Sequence, residues 1–520
     1  MLQRAAQQVE LGFDAAFGAR ANPWRHLGAL AFFLFWIVAA TGAYLYAAFD
    51  TSVAGAYASV ERIGANAWPL SGLARSLHRY ASDAMALVVL LHLGREWLNG
   101  HARGFRWFSW VSGVPLLWLV YASGLGGYWL VFDRLAQFSL VATTEWLDTL
   151  PIFGEPLARN FIPDGAVSNR LFSLLIFLHI GIPLALLLGM WIHVQRITGP
   201  RTNPPRAIGI ALACALTALA LAKPATSAAP ADLAFAPAVV AIDWLYQSIH
   251  PLFYATSGTV LWTLAGVFTL SLAALPWLGR AAYRDADARR LAAARVDLAN
   301  CNGCGRCFAD CPYEAVTLEP RTDGRPLPRQ AVVAPDLCAA CGICAGACPS
   351  STPFRGAERL RSGIDLPGRP IDALRADLER GLASLRGAPG IVVFGCECAA
   401  DAAAACPPGT PVLPLACAGQ LPPSFVEYAL RSGADGVLVA GCREGDCAYR
   451  FGDRWSALRI EGVRDPHLRP TVPRDRVRIA NCGPFDGAAL SGEFAAFRAA
   501  LSTLPASRRR VAKRKERLHE

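Results

Sequence analysis

LHRYASDAMALVVLLHLGREW (residues 77–97) carries two histidines, His78 and His92, fourteen residues apart in one apolar stretch. FLHIGIPLALLLGMWIHV (residues 177–194) repeats the interval with His179 and His193. Two apolar stretches that alternate with these hold glycines at the same step, Gly28 and Gly42, then Gly113 and Gly127. Fourteen residues make nearly four helical turns, so the members of each pair share a face about 21 Å apart. Two opposed helices of this kind can hold two stacked haems, each iron taking one imidazole from each helix. The glycines leave room for the flat macrocycles, because a Cβ there would strike the ring edge. The plain alternative is core histidines and packing glycines, both common in membrane bundles. Four imidazoles in two identical spacings favour haem, since unpaired polar groups in hydrocarbon are expensive and usually functional.

Composition sets the frame around this motif. The chain has 520 residues, enough for about three or four domains, of which 53% are hydrophobic. Its mean hydropathy of +0.31 is too apolar for a soluble protein of this size. The excess is confined to residues 26–279, where six stretches are candidate spans: 27–49, 77–98, 107–130, 171–195, 207–222 and 255–278. Most reach the roughly 20 residues needed to cross a bilayer, and the fifth is short. Residues 1–25 are too polar for a signal peptide and read as an amphipathic surface segment.

Basic residues in short loops set the orientation. Arg4, Arg20, Arg25, Arg95, Arg103, Arg106, Arg196, Arg201 and Arg206 lie on one side, against only Glu10, Asp14 and Glu96. The opposite loops are acidic, with Asp133, Glu145, Asp148, Glu155 and Asp164. The N-terminus is therefore expected inside, and six crossings return the C-terminal half inside as well. His78 and His179 become the outer pair with Gly42 and Gly127. His92 and His193 become the inner pair with Gly28 and Gly113. The net charge of +10 includes a basic tail, Arg508–Arg517, most simply a solvated terminus; no folded basic face with aromatics points to nucleic acid.

Fifteen of the sixteen cysteines fall after residue 300. Their Cys-x-x-Cys runs favour metal or cluster ligation over a disulfide framework. Cys301-x2-Cys304-x2-Cys307-x3-Cys311-Pro312 is followed by Cys338-x2-Cys341-x2-Cys344-x3-Cys348-Pro349. This is the bacterial two-cluster ferredoxin pattern, in which the fourth cysteine of each run ligates the other cluster. Cys301, Cys304, Cys307 and Cys348 are thus expected to hold one [4Fe-4S] centre, and Cys338, Cys341, Cys344 and Cys311 the second. Zinc is the alternative, which two complete repeats make a poor fit. Further on, three apolar strands each end in cysteine, at Cys396, Cys417 and Cys442, with a helix over Phe425–Ser432. That is a small parallel α/β unit with sulfurs at the carboxyl ends of its strands, where such sheets bind ligands.

Two resemblances follow from these residues. Residues 22–280 resemble cytochrome b of the bc-type quinol oxidoreductases, through Asn22-Pro23-Trp24, Thr41-Gly42, His78, His92-Leu93-Gly94-Arg95, Gly127-Tyr128, Pro151-Ile152-Phe153-Gly154 and His193. The resemblance implies a dihaem four-helix bundle with quinone sites on both faces and allows a homodimer. It makes Arg75, Arg79 and Arg95 candidates to meet haem propionates, with interfacial snorkelling as the equal alternative. The family's outer quinol motif, Pro-Glu-Trp-Tyr, is here Ile242-Asp243-Trp244-Leu245-Tyr246. Asp243 and Tyr246 can be read as a degenerate outer quinone site. The favoured reading is an interfacial anchor beside a solvated acid. Asp83, four residues after Arg79, reads as half of a helical ion pair, with a proton path to an outer quinone as the sharper alternative.

Residues 388–505 resemble the delta (iron–sulfur) subunit of methyl-viologen-reducing hydrogenases, most clearly at Gly433–Cys442 and Gly445-Asp446-Cys447. That family binds one [2Fe-2S] cluster, for which Cys396, Cys417, Cys442 and Cys447 are the choice here and Cys398 the alternative to Cys396. Cys406 and Cys482 read as structural thiols, and Cys214 as packing.

The expected fold is multi-domain. An all-α transmembrane dihaem four-helix bundle (26–200) with two further spans (201–280) follows the N-terminal segment. A connector (281–299) leads to an α+β ferredoxin-like domain (300–354), and a linker helix (355–387) to a small α/β iron–sulfur domain (388–505) and a basic tail (506–520). The cofactors expected are two haem b, two [4Fe-4S], one [2Fe-2S] and quinone. No Gly-x-Gly-x-x-Gly follows a strand, so no hydride chemistry is expected. The expectation is a subunit at the inner (cytoplasmic) membrane with both termini cytoplasmic. It would link a cytosolic flavoprotein or dehydrogenase to the membrane quinone pool. Two other readings are reverse transfer from quinol to a low-potential acceptor and a redox sensor or scaffold.

Overall fold

A computed structural model describes residues 2–18, 21–65, 69–102, 104–150, 169–232, 234–235, 239–278, 292–354, 360–385 and 389–505. Pro151–Gly154, Arg20, Arg103, Glu155, Asp164, the connector up to residue 291 and the tail from 506 lie outside them. The chain forms two compact units, one running essentially to Leu278 and the other from Gly279 onward.

In the first unit, α1 (Leu2–Phe17) is the amphipathic segment expected from its sequence. Asn22, fully buried, ties it to the next helix. The Asn22 amide donates to the Glu10 carbonyl at 3.1 Å and to Asp14 at 2.8 Å, and its oxygen accepts from Trp24 N–H at 2.8 Å. Then come α2 (Leu27–Ala48), α3 (Val53–Ala65), α4 (Pro69–Leu98), α5 (Trp107–Val131) and α6 (Arg134–Asp148). Asp133 caps α6 by accepting from Ala136 N–H at 2.8 Å, a role that Asp fills well. The unit continues with α7 (Asn169–Val194), α8 (Arg206–Ala222), α9 (Ile249–Ala255) and α10 (Gly258–Ala274).

Among the described residues, three helical stretches are long and apolar enough to cross a membrane, Pro23–Ala48, Trp107–Val131 and Phe172–Val194, with α8 and α10 shorter apolar helices. α4 has 30 residues but carries Arg75, Arg79, Asp83, Arg95 and Glu96, which dilute its hydropathy. The sixth expected span, 255–278, is split: Thr256 ends α9, and the Ser257 hydroxyl caps α10 by accepting from Val260 N–H. In the bundle, α4 packs along α2 and α7 along α5.

The second unit starts with a small α+β part. β1 (Arg295–Val296) pairs antiparallel with β4 (Ile364–Asp365), and β2 (Val316–Pro320) with β3 (Arg329–Val333). Two short helices, α11 (Arg306–Asp310) and α12 (Ile343–Ala347), follow left-handed glycines, Gly305 at φ 78° and Gly342 at φ 75°. Each glycine sits between the second and third cysteine of its run, where a Cβ would make that turn costly. After α13 (Ile371–Ser384) come β5 (Ile391–Cys396), α14 (Ala402–Ala405), β6 (Val412–Leu415), α15 (Pro423–Arg431), β7 (Gly436–Gly441), α16 (Gly452–Glu461), β8 (Val477–Asn481) and α17 (Gly487–Ser502). The four strands are parallel in the order β6-β5-β7-β8. Every residue of β5 and β7 is buried, as in a parallel sheet covered on both faces. Phe394, Val439 and Phe425 belong to the core on one face, and Val393, Leu438 and Phe497 to the core on the other. The order reverses around β5, so the crevice beyond the carboxyl ends is the expected ligand position.

Candidate cofactor sites

The four histidines stand at two levels. His78 on α4 and His179 on α7 bring their ring centres to 6.2 Å. Two metal–nitrogen bonds of about 2 Å plus the inner half of each imidazole give roughly that separation, so the pair fits one iron held between two rings. At the other level His92 and His193 are electrostatic neighbours.

The other ring nitrogen is committed in three of the four. His78 Nδ1 lies 3.0 Å from the Val38 carbonyl and 3.2 Å from the Thr41 hydroxyl. His179 Nδ1 lies 3.1 Å from the Ser123 carbonyl, and His193 Nδ1 lies 3.0 Å from the Ser112 hydroxyl. A carbonyl only accepts, so Nδ1 of His78 and His179 carries the proton and Nε2 keeps its lone pair. Such a partner fixes the tautomer and ring orientation of a metal-ligating histidine.

Each glycine faces one of these rings. A Cβ on Gly28 would lie 3.4 Å from His92 Cε1, on Gly42 2.9 Å from His78 Cε1, on Gly113 3.3 Å from His193 Cε1, and on Gly127 3.1 Å from His179 Cε1. All four glycines are thus paired one to one with the four histidines. They face the imidazoles of the neighbouring helix.

Midway between the levels, seven residues from each partner, stand Phe35, Met85, Val120 and Leu186. All four are buried in one core. Seven residues are close to two turns, so these four share the face of the glycines and histidines and form an apolar layer between the levels. The sequence reading missed them, although the half-interval was the signal that could have found them.

The three arginines proposed for propionates are engaged by protein groups. Arg75 donates to Ser227 Oγ at 2.6 Å and to Glu61 at 3.4 Å. Arg95 pairs with Glu10 at 3.0 Å. Arg79 pairs with Asp83 at 3.2 Å and also with Asp243, and stacks over the Tyr128 ring at 4.3 Å. Asp243 Oδ1 in addition accepts from Leu245 and Tyr246 N–H. Tyr246 is 1% exposed, and its hydroxyl donates to the Ser82 carbonyl at 2.9 Å. Its ring lies against Gly124, where a Cβ would come within 2.1 Å. Asp243 and Tyr246 are thus both engaged by protein groups.

In the second unit the cysteines collect in three sets. Around Cys307 stand Cys348, Cys304 and Cys301, and burial with these neighbours pushes its thiol up to about 12. Around Cys344 stand Cys341, Cys338, Cys307 and Cys311. Cys348 beside the first run and Cys311 beside the second are compatible with the crossed pattern. Cys311, Cys338, Cys341 and Cys344 also line one cavity, closed by Pro312, Tyr313 and Val316. Burial drives Cys341 and Cys344 upward too. Four thiolates cannot coexist in such a place without a cationic core to hold them.

The third set is a ring. Cys396 and Cys442 Sγ are 3.9 Å apart, as are Cys417 and Cys447 Sγ. Cys396 also contacts Cys417, and Cys442 contacts Cys447. Cys417 and Cys442 are pushed up because their thiols donate to Cys396 and Cys447, and burial adds to this. Cys398 adjoins Cys396 at the edge of the ring. Gly452 opens α16 directly on the sulfurs, where a Cβ would lie 1.9 Å from Cys417 Sγ and 3.2 Å from Cys447 Sγ. A helix N-terminus against thiolates favours their charged form. Cys406 and Cys482 lie in the other core of the sheet, consistent with a packing role.

Three family models match this chain. "Cytochrome b/b6/petB" matches residues 14–199, "4Fe-4S dicluster domain" residues 300–352, and "Methyl-viologen-reducing hydrogenase, delta subunit" residues 391–504. Among solved structures, a chain of a "Hyperthermophilic respiratory Complex III" is similar at 18% identity. That match covers 51% of this chain and 80% of the other, with a TM-score of 0.40.

Proposed function

We propose that this polypeptide, which joins a cytochrome b part, a 4Fe-4S dicluster part and a hydrogenase delta part, passes electrons between a cytosolic flavoprotein or dehydrogenase and the membrane quinone pool. The chain is a membrane electron-transfer subunit with haem b and iron–sulfur ligation. Beyond it, we assign His78/His179 and His92/His193 to two haems of a four-helix bundle. We assign the crossed quartets to two [4Fe-4S] centres, and Cys396, Cys417, Cys442 and Cys447 to a [2Fe-2S] centre. When bound, these groups supply one-electron chemistry. The chain's own residues hold imidazole tautomers, keep thiolates out of water and set the order of stations. The loop charges support a reading with the iron–sulfur half, His92 and His193 on the cytoplasmic side. The order is then soluble donor, C-terminal centre, ferredoxin centres, inner haem, and quinone at the inner face or onward transfer to the outer haem.

The observation that carries the membrane assignment is the pairing of four glycines with four histidines at two levels. The test is transfer from a reduced soluble partner to a quinone analogue in the purified complex. His92→Ala should lower that rate at least tenfold while the iron–sulfur content stays unchanged. An unchanged rate overturns the route through the inner haem. A strict requirement for a proton-motive force would instead select the reverse direction, quinol to a low-potential acceptor.

A further inference from the structure

The seam between the ferredoxin part and the C-terminal sheet lies within the second unit, and it is asymmetric. Cys341 belongs to the same buried core as Cys396, Cys417, Cys442 and Cys447. The other ferredoxin cysteines belong to a second core, Cys301, Cys307, Cys311 and Cys344 within it and Cys338 and Cys348 at its margin, so Cys341 is the one that reaches across. Cys447 is among the electrostatic neighbours of Cys341. Tyr449 lies at the same seam, with Cys398, Cys341 and Cys417 around it.

The seam is also tight. A Cβ on Gly346 of α12 would lie 2.1 Å from the Gly419 carbonyl oxygen, and one on Gly342 would lie 2.8 Å from Gln420 Cγ. Arg459, 0% exposed, spans the joint. It donates to the Gly419 carbonyl at 2.7 Å and the Ile343 carbonyl at 3.3 Å, and pairs with Asp310. Ile343 lies between Cys341 and Cys344, and Asp310 precedes Cys311. One guanidinium therefore holds the Ile343 carbonyl beside Cys344 and the Asp310 carboxylate beside Cys311. Arg464 pairs with Asp310 as well.

From this seam we infer that the quartet Cys338, Cys341, Cys344 and Cys311 is the direct one-electron partner of the C-terminal quartet, with Cys301, Cys304, Cys307 and Cys348 one station further on, and that Arg459 is the positioning residue. This rests on the cluster assignments proposed above. One electron leaves the reduced C-terminal centre and one is gained by the oxidised centre of the second quartet, with no proton or ligand moving. The reductant is the soluble flavoprotein or dehydrogenase.

The test is electron paramagnetic resonance on the full-length protein during stepwise reduction with dithionite. The C-terminal signal should split or relax faster as its neighbour is reduced. Cys341→Ser should abolish that interaction, and Cys301→Ser should leave it intact. Each remaining centre's own signal serves as the folding control. Arg459→Met should weaken the interaction while all signals persist, and Arg459→Lys should restore part of it. An interaction that survives Cys341→Ser and vanishes in Cys301→Ser overturns the order alone. One that Arg459→Met leaves unchanged overturns the positioning role. A chain without three reducible iron–sulfur signals overturns the cluster assignments themselves.

Discussion

The helical bundle and the C-terminal sheet each gather four histidine or cysteine side chains, and they do so by opposite geometry. In the bundle the histidines repeat at one interval on two long helices, and each is faced by a glycine from a neighbour. In the sheet the sulfurs come from three strand ends and a loop, and meet because the parallel order β6-β5-β7-β8 aligns those ends. The first arrangement separates two sites along a membrane. The second closes one site in a crevice. Helical repetition sets distance, whereas strand topology sets convergence.

A pair of matched substitutions puts most strain on that contrast. Gly42→Val would press on the His78 ring, where even a Cβ stands 2.9 Å away. Gly452→Val would collide with Cys417 Sγ, 1.9 Å from the Cβ position. The first should remove one of two haems and spare the iron–sulfur signals. The second should remove the C-terminal signal and spare both haems and the ferredoxin signals. Pyridine haemochrome assay and electron paramagnetic resonance read both outcomes. Loss that spreads across the two units would break the claim that each site is locally built.

A smaller effect is expected from the layer between the haem levels. Leu186 is 2% exposed, and Leu186→Ala should cost about 2–5 kcal/mol with both haems retained. Thermal unfolding in detergent, followed at the haem absorbance, measures it. Loss of a haem instead would make the layer part of a binding site.

The smallest effect concerns pH in the second unit. Asp365 accepts from Leu366 and Ile371 N–H at 2.8 and 2.9 Å, yet burial raises its carboxyl from 3.8 to about 6. The folded state thus binds a proton more tightly than the unfolded chain, so stability falls as pH rises from about 4 to 6. Asp365→Asn keeps an acceptor and should flatten that slope, gaining on the order of 1 kcal/mol at pH 7. Denaturant unfolding at both pH values checks it, and an unchanged slope removes Asp365 as its cause.

Legibility in the sequence followed the same divide. The bundle helices were readable because apolar length and the fourteen-residue interval are local patterns, and α2 and α5 fall within a residue of expectation. The ferredoxin runs were readable because the repeated cysteine spacing is a local pattern, matched by a 4Fe-4S dicluster domain over residues 300–352. α3, α6 and α9 were missed, since amphipathic helices between spans resemble loops in a reading tuned to hydropathy. β8 was missed because Arg478 interrupts Val477 and Ile479 on an edge strand. Arg459 was beyond reach, because an arginine among charged neighbours on α16 gives no sign that it is buried against Asp310. The arginines at the haem levels had their partners in distant elements, as Arg79 with Asp243 shows.

The most direct test of the account is the cofactor count of the purified full-length chain. Two haem b per polypeptide with about ten non-haem irons is the predicted result. One haem per polypeptide would contradict the two-level reading of His78, His92, His179 and His193, and with it the route from the soluble clusters into the membrane.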